Sequence, residues 1–303
     1  MSDMPALPQG FADLVAPVDP RSAWDLPAPG GMPTTAALEP LVTRVLAPNP
    51  SGMTLDGTNT YLVGKPGSGE AVLVDPGPDD PAHLNRVSSA LADRDVRCVA
   101  VLLTHHHWDH AEAALPWSAH FGVQVAAADP AVVGPQGRVL RPGEQLSLAG
   151  TSIGVVPTAG HCWDHLAFRV ESGAVLVGDH VLGRGTSVVT HPEGDVVAYL
   201  ESLRRVYDLG PSALYPGHGP ELTEDPVAVL DFYRLHRDFR EQQIVALLSD
   251  DAAQPVSALV EVIYAAVPRS LWPAAEQSTR AALAKLERQG RVHVAPEGVR
   301  LVG

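Results

Sequence analysis

Cys98-Val-Ala-Val-Leu-Leu-Thr104-His105-His106-His107-Trp108-Asp109-His110 runs from an apolar segment straight into three consecutive histidines, an aspartate and a fourth histidine. The first six residues predict a short buried strand, and a strand has no use for imidazoles at its mouth unless something binds them. His105 and His107 stand two apart, so in extended backbone they point the same way. Asp109 and His110 follow where the chain must turn, with helical character from Ala111 to Trp117. Imidazole and carboxylate are usual donors to zinc at catalytic sites, and two ions can share such a cluster. A tag would be terminal and would not follow a buried strand, so the spacing favours a metal.

Thr104-His-His-His-Trp-Asp-His110 resembles the signature of the metallo-β-lactamase superfamily, and the rest of that pattern follows in order. Asp75 stands in Val-Leu-Val-Asp-Pro-Gly, His161 in Thr-Ala-Gly-His, Asp179 in Val-Gly-Asp-His, and His218 in Tyr-Pro-Gly-His-Gly-Pro. Asn49-Pro-Ser-Gly-Met-Thr-Leu-Asp-Gly-Thr-Asn-Thr-Tyr61 and Phe239-Arg-Glu-Gln-Gln-Ile244 resemble the endoribonuclease-like branch of the superfamily. The likeness covers about residues 41 to 303 and leaves only the N-terminal tail outside.

The resemblance implies an α/β fold, the αβ/βα sandwich, with its site along one edge of two packed sheets. It also implies two metal ions, zinc or another divalent metal. His105, His107 and His161 would hold the first, Asp109, His110 and His218 the second, and Asp179 would bridge them. A hydroxide bridging the ions would attack a carbonyl or phosphoryl centre, since zinc lowers the pKa of bound water to about 7. Asp109 would be catalytic through the second ion. His165 and His180 are candidates to contact substrate or protonate the leaving group, with hydrogen-bonded support of the ligands as their alternative role. Asp75 would orient a ligating histidine through its other ring nitrogen, and His106 would point away. Asn59 and Tyr61 are candidates for the cleft wall, or for the core in the case of Tyr61. Cys162 puts a sulfur beside His161, but the expected ligand set is complete without it. The chain has no Gly-x-Ser-x-Gly nucleophile elbow.

Composition bounds the function from the other side. No apolar run approaches the ~20 residues of a membrane span. Two cysteines make no disulfide framework, and Met-Ser-Asp-Met-Pro lacks the basic and apolar regions of a signal peptide, so a cytoplasmic location is expected. The formal charge is −14, with 12 Lys and Arg against 26 Asp and Glu in residues 1–225 and 9 against 9 in residues 226–303. Phosphate contacts need a basic surface, so this balance tilts away from nucleic acid.

Residues 1–40 are rich in Pro, Ala and Gly and predict an extended or poorly ordered arm. Strands and helices alternate over 41–225, predicting the catalytic domain. Residues 226–303 predict three helices, Val227–Leu248, Val256–Ala266 and Ala275–Gln289, then a hairpin, which resembles a winged-helix module. A module this neutral is expected to pack on the catalytic domain or on a second copy of the chain in a homodimer, not to read DNA. The expected function is a binuclear metal hydrolase of a small ester, thioester or lactone. Single-strand RNA cleavage is the runner-up, with β-lactam hydrolysis and a non-enzymatic winged-helix regulator as further alternatives.

Overall fold

The computed structural model describes residues 8–303, and its strands fall into two large sheets and a terminal hairpin. The first sheet takes β1 (Thr35–Glu39), β2 (Val42–Leu46), β3 (Asn59–Val63), β4 (Glu70–Val74), β5 (Arg97–Leu102), β6 (Val125–Ala127) and β7 (Arg138–Val139), side by side in that order. The second takes β8 (Gln145–Leu148), β9 (Thr151–Pro157), β10 (Leu166–Val170), β11 (Val175–Gly178) and β12 (Leu214–Pro216), again in consecutive order. The hairpin is β13 (Val292–Ala295) with β14 (Gly298–Leu301). The helices are α1 (Gln9–Ala12), α2 (Pro81–Asp93), α3 (Trp108–Ala111), α4 (Ala114–Phe121), α5 (Val196–Asp208), α6 (Pro226–Leu247), α7 (Val256–Ile263) and α8 (Trp272–Arg288).

Both faces of each sheet are covered, which is why the strands read as nearly continuous apolar runs. The period of two sorts the side chains. In β3 and β4, Tyr61, Val63, Val72 and Val74 face the second sheet, meeting Ile153, Val155, Phe168 and Leu176. Their neighbours Leu62 and Leu73 face the other way, onto Val87 and Leu91 of α2 and Trp117 of α4. On the far side of the second sheet, Ala167, Val175 and Val177 pack under Tyr199 and Leu203 of α5 and Val229 of α6. The result is the expected αβ/βα sandwich. Asp80, Asp195 and Asp225 cap α2, α5 and α6 by accepting the N–H three residues on, and a proline opens α2 and α6.

The structure departs from two expectations. The single helix expected over Ala111–Trp117 is two short ones, because the Ala113 N–H is drawn out of the turn to the Gly77 carbonyl, 3.0 Å away. The N-terminal arm, expected to be extended or poorly ordered, carries the short helix α1 and from residue 19 is fastened. Arg21 is buried, bonds Asp19 and the carbonyls of Leu182 and Gly185, and lies over the Tyr233 ring at 5.5 Å. Thr35–Glu39 then pairs with β2 as an edge strand. One buried guanidinium supplies the ordering that composition could not reveal; the first seven residues of the arm lie outside the described residues.

Helix α6 serves two cores. Its first turns place Val229, Leu230, Phe232 and Tyr233 among the residues of α5 and the second sheet. Its last turns place Ile244 and Leu247 with α7, α8 and the hairpin. The helix that begins at the expected 225/226 boundary is therefore shared by the sandwich and the C-terminal module.

Candidate metal centre

The site is built where strands end. Asp75 follows β4, Thr104 and His105 follow β5, Asp179 follows β11, and the His218 loop follows β12. Hydrogen bonds tie these ends together: Leu166 N–H to the Thr104 carbonyl, Gly217 N–H to the Gly178 carbonyl, and Asn59 N–H to the Gly217 carbonyl. Asn59 Nδ2 donates to the carbonyls of Pro216 and Gly219, and Tyr61 Oη donates to Pro216. Asn59 and Tyr61 are therefore fully buried fasteners of the His218 loop, not cleft residues. Gly217 is required there, since a Cβ would stand 2.6 Å from Asp179 Oδ1 and from His110 Cε1.

All seven expected ligand residues converge. His107 Nδ1 lies 3.0 Å from both His105 Nε2 and His161 Nε2. His110 Nε2 lies 3.2 Å from His218 Nε2, and His218 Nε2 lies 3.2 Å from Asp109 Oδ2. Asp179 stands between the halves, Oδ1 at 3.3 and 3.4 Å from the Nε2 atoms of His110 and His218, and Oδ2 at 3.9 Å from His161 Nε2.

The other ring nitrogens are pinned, which fixes the tautomers. His161 Nδ1 donates to the Val188 carbonyl and His218 Nδ1 to the Gly57 carbonyl, since a carbonyl only accepts. Asp75 accepts from Thr104 N–H and Thr104 Oγ1, and its Oδ2 lies 2.9 Å from His110 Nδ1. With its own hydrogen given to Asp75, the Thr104 hydroxyl accepts from His105 Nδ1 at 3.0 Å. The Nε2 atoms of His105 and His161 are thus lone pairs, both aimed at a His107 nitrogen that can supply one hydrogen at most. Asp179 Oδ1 is buried with no well-formed hydrogen bond. Clustered lone pairs and an orphaned carboxylate oxygen are what a pair of divalent cations would satisfy, so the donor set fits the expected metals.

The electrostatics divide the cluster. Burial, then the neighbouring imidazoles, holds His105 well below its ordinary pKa, and burial brings His161 down to about 4. In the other half burial pulls the same way but loses. The Asp179, Asp75 and Asp109 charges hold His110 well above its ordinary value, and Asp179 and Asp109 hold His218 at about 9. Burial alone would raise Asp179, but the charges on His218 and His110 keep it well below the usual carboxylate range. Asp109 is likewise held down, chiefly by His110 against its own burial.

His165 and His180 sit behind the cluster. His165 is buried, its Nδ1 2.8 Å from Thr158 Oγ1 and its Nε2 accepting the Asp179 N–H at 3.1 Å, so one nitrogen fixes the ring and the other holds Asp179. His180 is fully buried against the Tyr199 ring, and burial pushes its pKa to about 3. Cys162 donates to Asp164 Oδ1 at 3.2 Å, and burial followed by that carboxylate drives its thiol pKa up, so it stays protonated. His106 turns aside as expected, lying between Asp164 and Glu193 at 2.7 Å from each. Glu193 also reaches within 3.5 Å of His107 Nε2. Sequence reasoning missed it, because His191-Pro-Glu-Gly194 carries no motif and arrives from the loop before α5.

A cavity of about 310 Å³ adjoins the cluster. His161 and Asp179 line it, together with Leu182 and Val188 from the loop after β11 and Tyr264 and Leu271 from the C-terminal module. No helix among the described residues is long and apolar enough to cross a membrane.

The chain resembles known proteins over most of its length. The profile of the metallo-beta-lactamase superfamily matches residues 53–218, and that of the beta-lactamase associated winged helix domain matches residues 256–298. The chain is 32% identical over 282 residues to the beta-lactamase-like protein 2 homolog of Drosophila melanogaster, covering 87% of this chain and 93% of that protein. It is 32% identical over 248 residues to the atrochrysone carboxyl ACP thioesterase of Aspergillus chevalieri, covering 79% and 78%. A beta-lactamase domain protein from Burkholderia ambifaria shares the fold with a TM-score of 0.76 at 23% identity, covering 96% of this chain and 98% of that one.

Proposed function

The chain belongs to the metallo-β-lactamase superfamily and carries that family's associated winged-helix domain, and from this premise we propose a two-metal hydrolase, zinc being the preferred ion, that acts on a small ester or thioester. The observation that carries the substrate class is the cavity beside His161 and Asp179, closed on one side by Tyr264 and Leu271. A mixed, largely apolar chamber of this size suits an acyl group. A polynucleotide would need an open basic track, and the formal charge of −14 offers little of one. The thioesterase from Aspergillus chevalieri supports a thioester over a lactone or a β-lactam.

His105, His107 and His161 would hold one ion, Asp109, His110 and His218 the other, and Asp179 both. When bound, the metals supply a water acidic enough to ionise near neutral pH and a positive field for the developing oxyanion. The chain does the positioning. Val188, Gly57 and Asp75 hold the Nδ1 atoms of His161, His218 and His110, so each presents Nε2. His165 holds the Asp179 backbone in place. Leu182, Val188 and Leu271 line the space beside the carboxylate with apolar surface.

A screen of metal-loaded protein against acyl-CoA, lactone, cephalosporin and single-stranded RNA tests the proposal. Chelator-sensitive turnover should be fastest on the thioester, by about tenfold or more in kcat/KM, a difference of roughly 1.4 kcal/mol. Faster cleavage of RNA would replace the acyl reading with the nuclease one.

The two halves should also differ in their response to pH. His105 and His161 are already neutral at pH 7, whereas His110 and His218 carry protons that an incoming ion must displace. A raised pKa means protonation below it, so affinity for the second ion should climb as pH rises from about 6 to 9. The limit is about tenfold per pH unit for each proton displaced. Zinc titrations at the two pH values should show the second equivalent tightening far more than the first. Equal tightening of both would contradict the division.

A further inference from the structure

Two arginines line the cavity beside the metal centre without a counter-charge. Arg237 and Arg240 lie one turn apart on α6 and share the cavity with His161 and Asp179. Arg237 is 7% exposed. Its Nη2 donates to the Ser187 carbonyl, its guanidinium carbon sits 4.8 Å from the centre of the Tyr199 ring, and its Nε is buried with no partner. Arg240 donates to Gln243 Oε1 at 2.8 Å and to the Ile263 carbonyl at 3.2 Å, and lies 4.6 Å over the Tyr264 ring. Every one of these partners is neutral. Among the described residues, no carboxylate comes within 4.0 Å of either guanidinium.

That omission runs against the composition. The chain has 35 acidic residues to 21 basic ones, and its other buried arginines use them. Arg21 pairs with Asp19 and Arg44 with Glu221. Arg184, in the wall of this same cavity, pairs with Asp56. Glu241, next to Arg240 in sequence, is committed to Lys285 at 2.5 Å. His236, also in the wall, adds no positive charge, because burial and then the two arginines push its pKa to about 3. Buried charges are normally paired, since leaving water uncompensated is costly. A guanidinium with free N–H groups in a chamber is preorganised for an oxyanion.

We infer that Arg237 and Arg240 form an anion-recognition site within the substrate cavity, so that the preferred substrate is an acyl ester or thioester bearing a carboxylate or phosphate away from the scissile bond. This rests on the reading that the cavity holds the substrate of the metal centre. The apolar walls take the body of the acyl group, the metal cluster meets the carbonyl, and the arginines fix the other end. The Arg-Glu-Gln-Gln stretch that carried part of the family resemblance then acquires a role: Arg240 faces the ligand, Glu241 ties α6 to α8, and Gln243 holds Arg240 in place.

Three thioesters test it on metal-loaded, full-length protein. S-glutaryl-N-acetylcysteamine carries a carboxylate on the acyl side, pentanoyl-CoA carries phosphates on the thiol side, and S-pentanoyl-N-acetylcysteamine carries neither. One of the anionic pair should exceed the neutral thioester in kcat/KM by roughly tenfold to a hundredfold, as expected for charge-assisted hydrogen bonds. Arg240→Gln should collapse that ratio toward one, Arg240→Lys should keep part of it, and the favoured member shows which end bears the anion. No preference in the wild type, or a ratio that survives Arg240→Gln, would overturn the inference. Calorimetric titration with glutarate and with glutaramide supplies a readout independent of turnover. Glutarate should bind more tightly, and Arg240→Gln should weaken it roughly tenfold or more; equal binding by both proteins would assign the carboxylate to the metals instead. If none of the thioesters is hydrolysed while glutarate binding still depends on Arg240, the acyl-hydrolase reading fails and the anion site stands.

Discussion

Asp179→Ala should yield a folded protein that binds neither ion tightly and turns over at least roughly a thousandfold more slowly. No other side chain in the cluster faces both halves with separate oxygens, Oδ1 toward His110 and His218 and Oδ2 toward His161. Removing it takes a donor and a negative charge from each ion at once. Metal polarisation of a reacting group is worth several kcal/mol, and each 1.36 kcal/mol is a factor of ten, which gives the size of the loss. The fold should survive, because Asp179 takes part in no apolar cluster and its removal relieves a buried carboxylate that the metal-free chain balances only with protons on His110 and His218. Elemental analysis after dialysis and circular dichroism make the check. A variant that still retains one ion with unchanged affinity would show that Asp179 serves only one half.

The seven converging side chains were legible in the sequence for a physical reason. His105, Asp179 and His218 stand within three residues of the ends of the apolar strands β5, β11 and β12, where a polar side chain has no structural excuse, and Asp109 and His110 lie in the short helix α3 that follows β5. Asp75, directly after β4, belongs to the same class. The other supporting residues were less legible, because their roles exist only in three dimensions. His165, four residues after His161, read equally as a substrate contact or proton donor and as a supporting histidine; it faces inward because its own backbone pairs with Thr158, which turns the ring onto the Asp179 amide. Glu193 and the arginines of α6 reach the site from segments 14 or more residues past Asp179 in sequence, and nothing in their spacing points to a strand edge. Arg21 is the sharpest case: the one basic residue of a Pro- and Gly-rich tract looks solvated until the carbonyls of Leu182 and Gly185 are found around it.

Two truncations should behave oppositely, and the difference lies in α6. A chain ending at residue 225 loses Val229, Leu230, Phe232 and Tyr233, all buried against α5 and the second sheet. Full burial of such side chains is worth about 1.5–3 kcal/mol each, so their loss withdraws roughly 6–12 kcal/mol from a fold whose whole stability is about 5–15 kcal/mol. Arg21 would also lose the Tyr233 ring beneath it, and with that the anchor of the N-terminal arm. This fragment should be insoluble or lack a cooperative thermal transition. A chain ending at residue 248 keeps those four residues and bares mainly Ile244, Leu247 and Leu248. It should melt cooperatively at a reduced Tm and still bind metal, since all seven converging residues precede the cut. It should nevertheless lose the cavity wall formed by Tyr264, Val267 and Leu271, so that KM for a thioester rises far more than kcat falls. Differential scanning calorimetry and steady-state kinetics on the two fragments decide between a shared helix and a detachable module. A 225-residue fragment with the full-length Tm would place α6 outside the core of the sandwich, and a 248-residue fragment with unchanged KM would remove the C-terminal module from the substrate site.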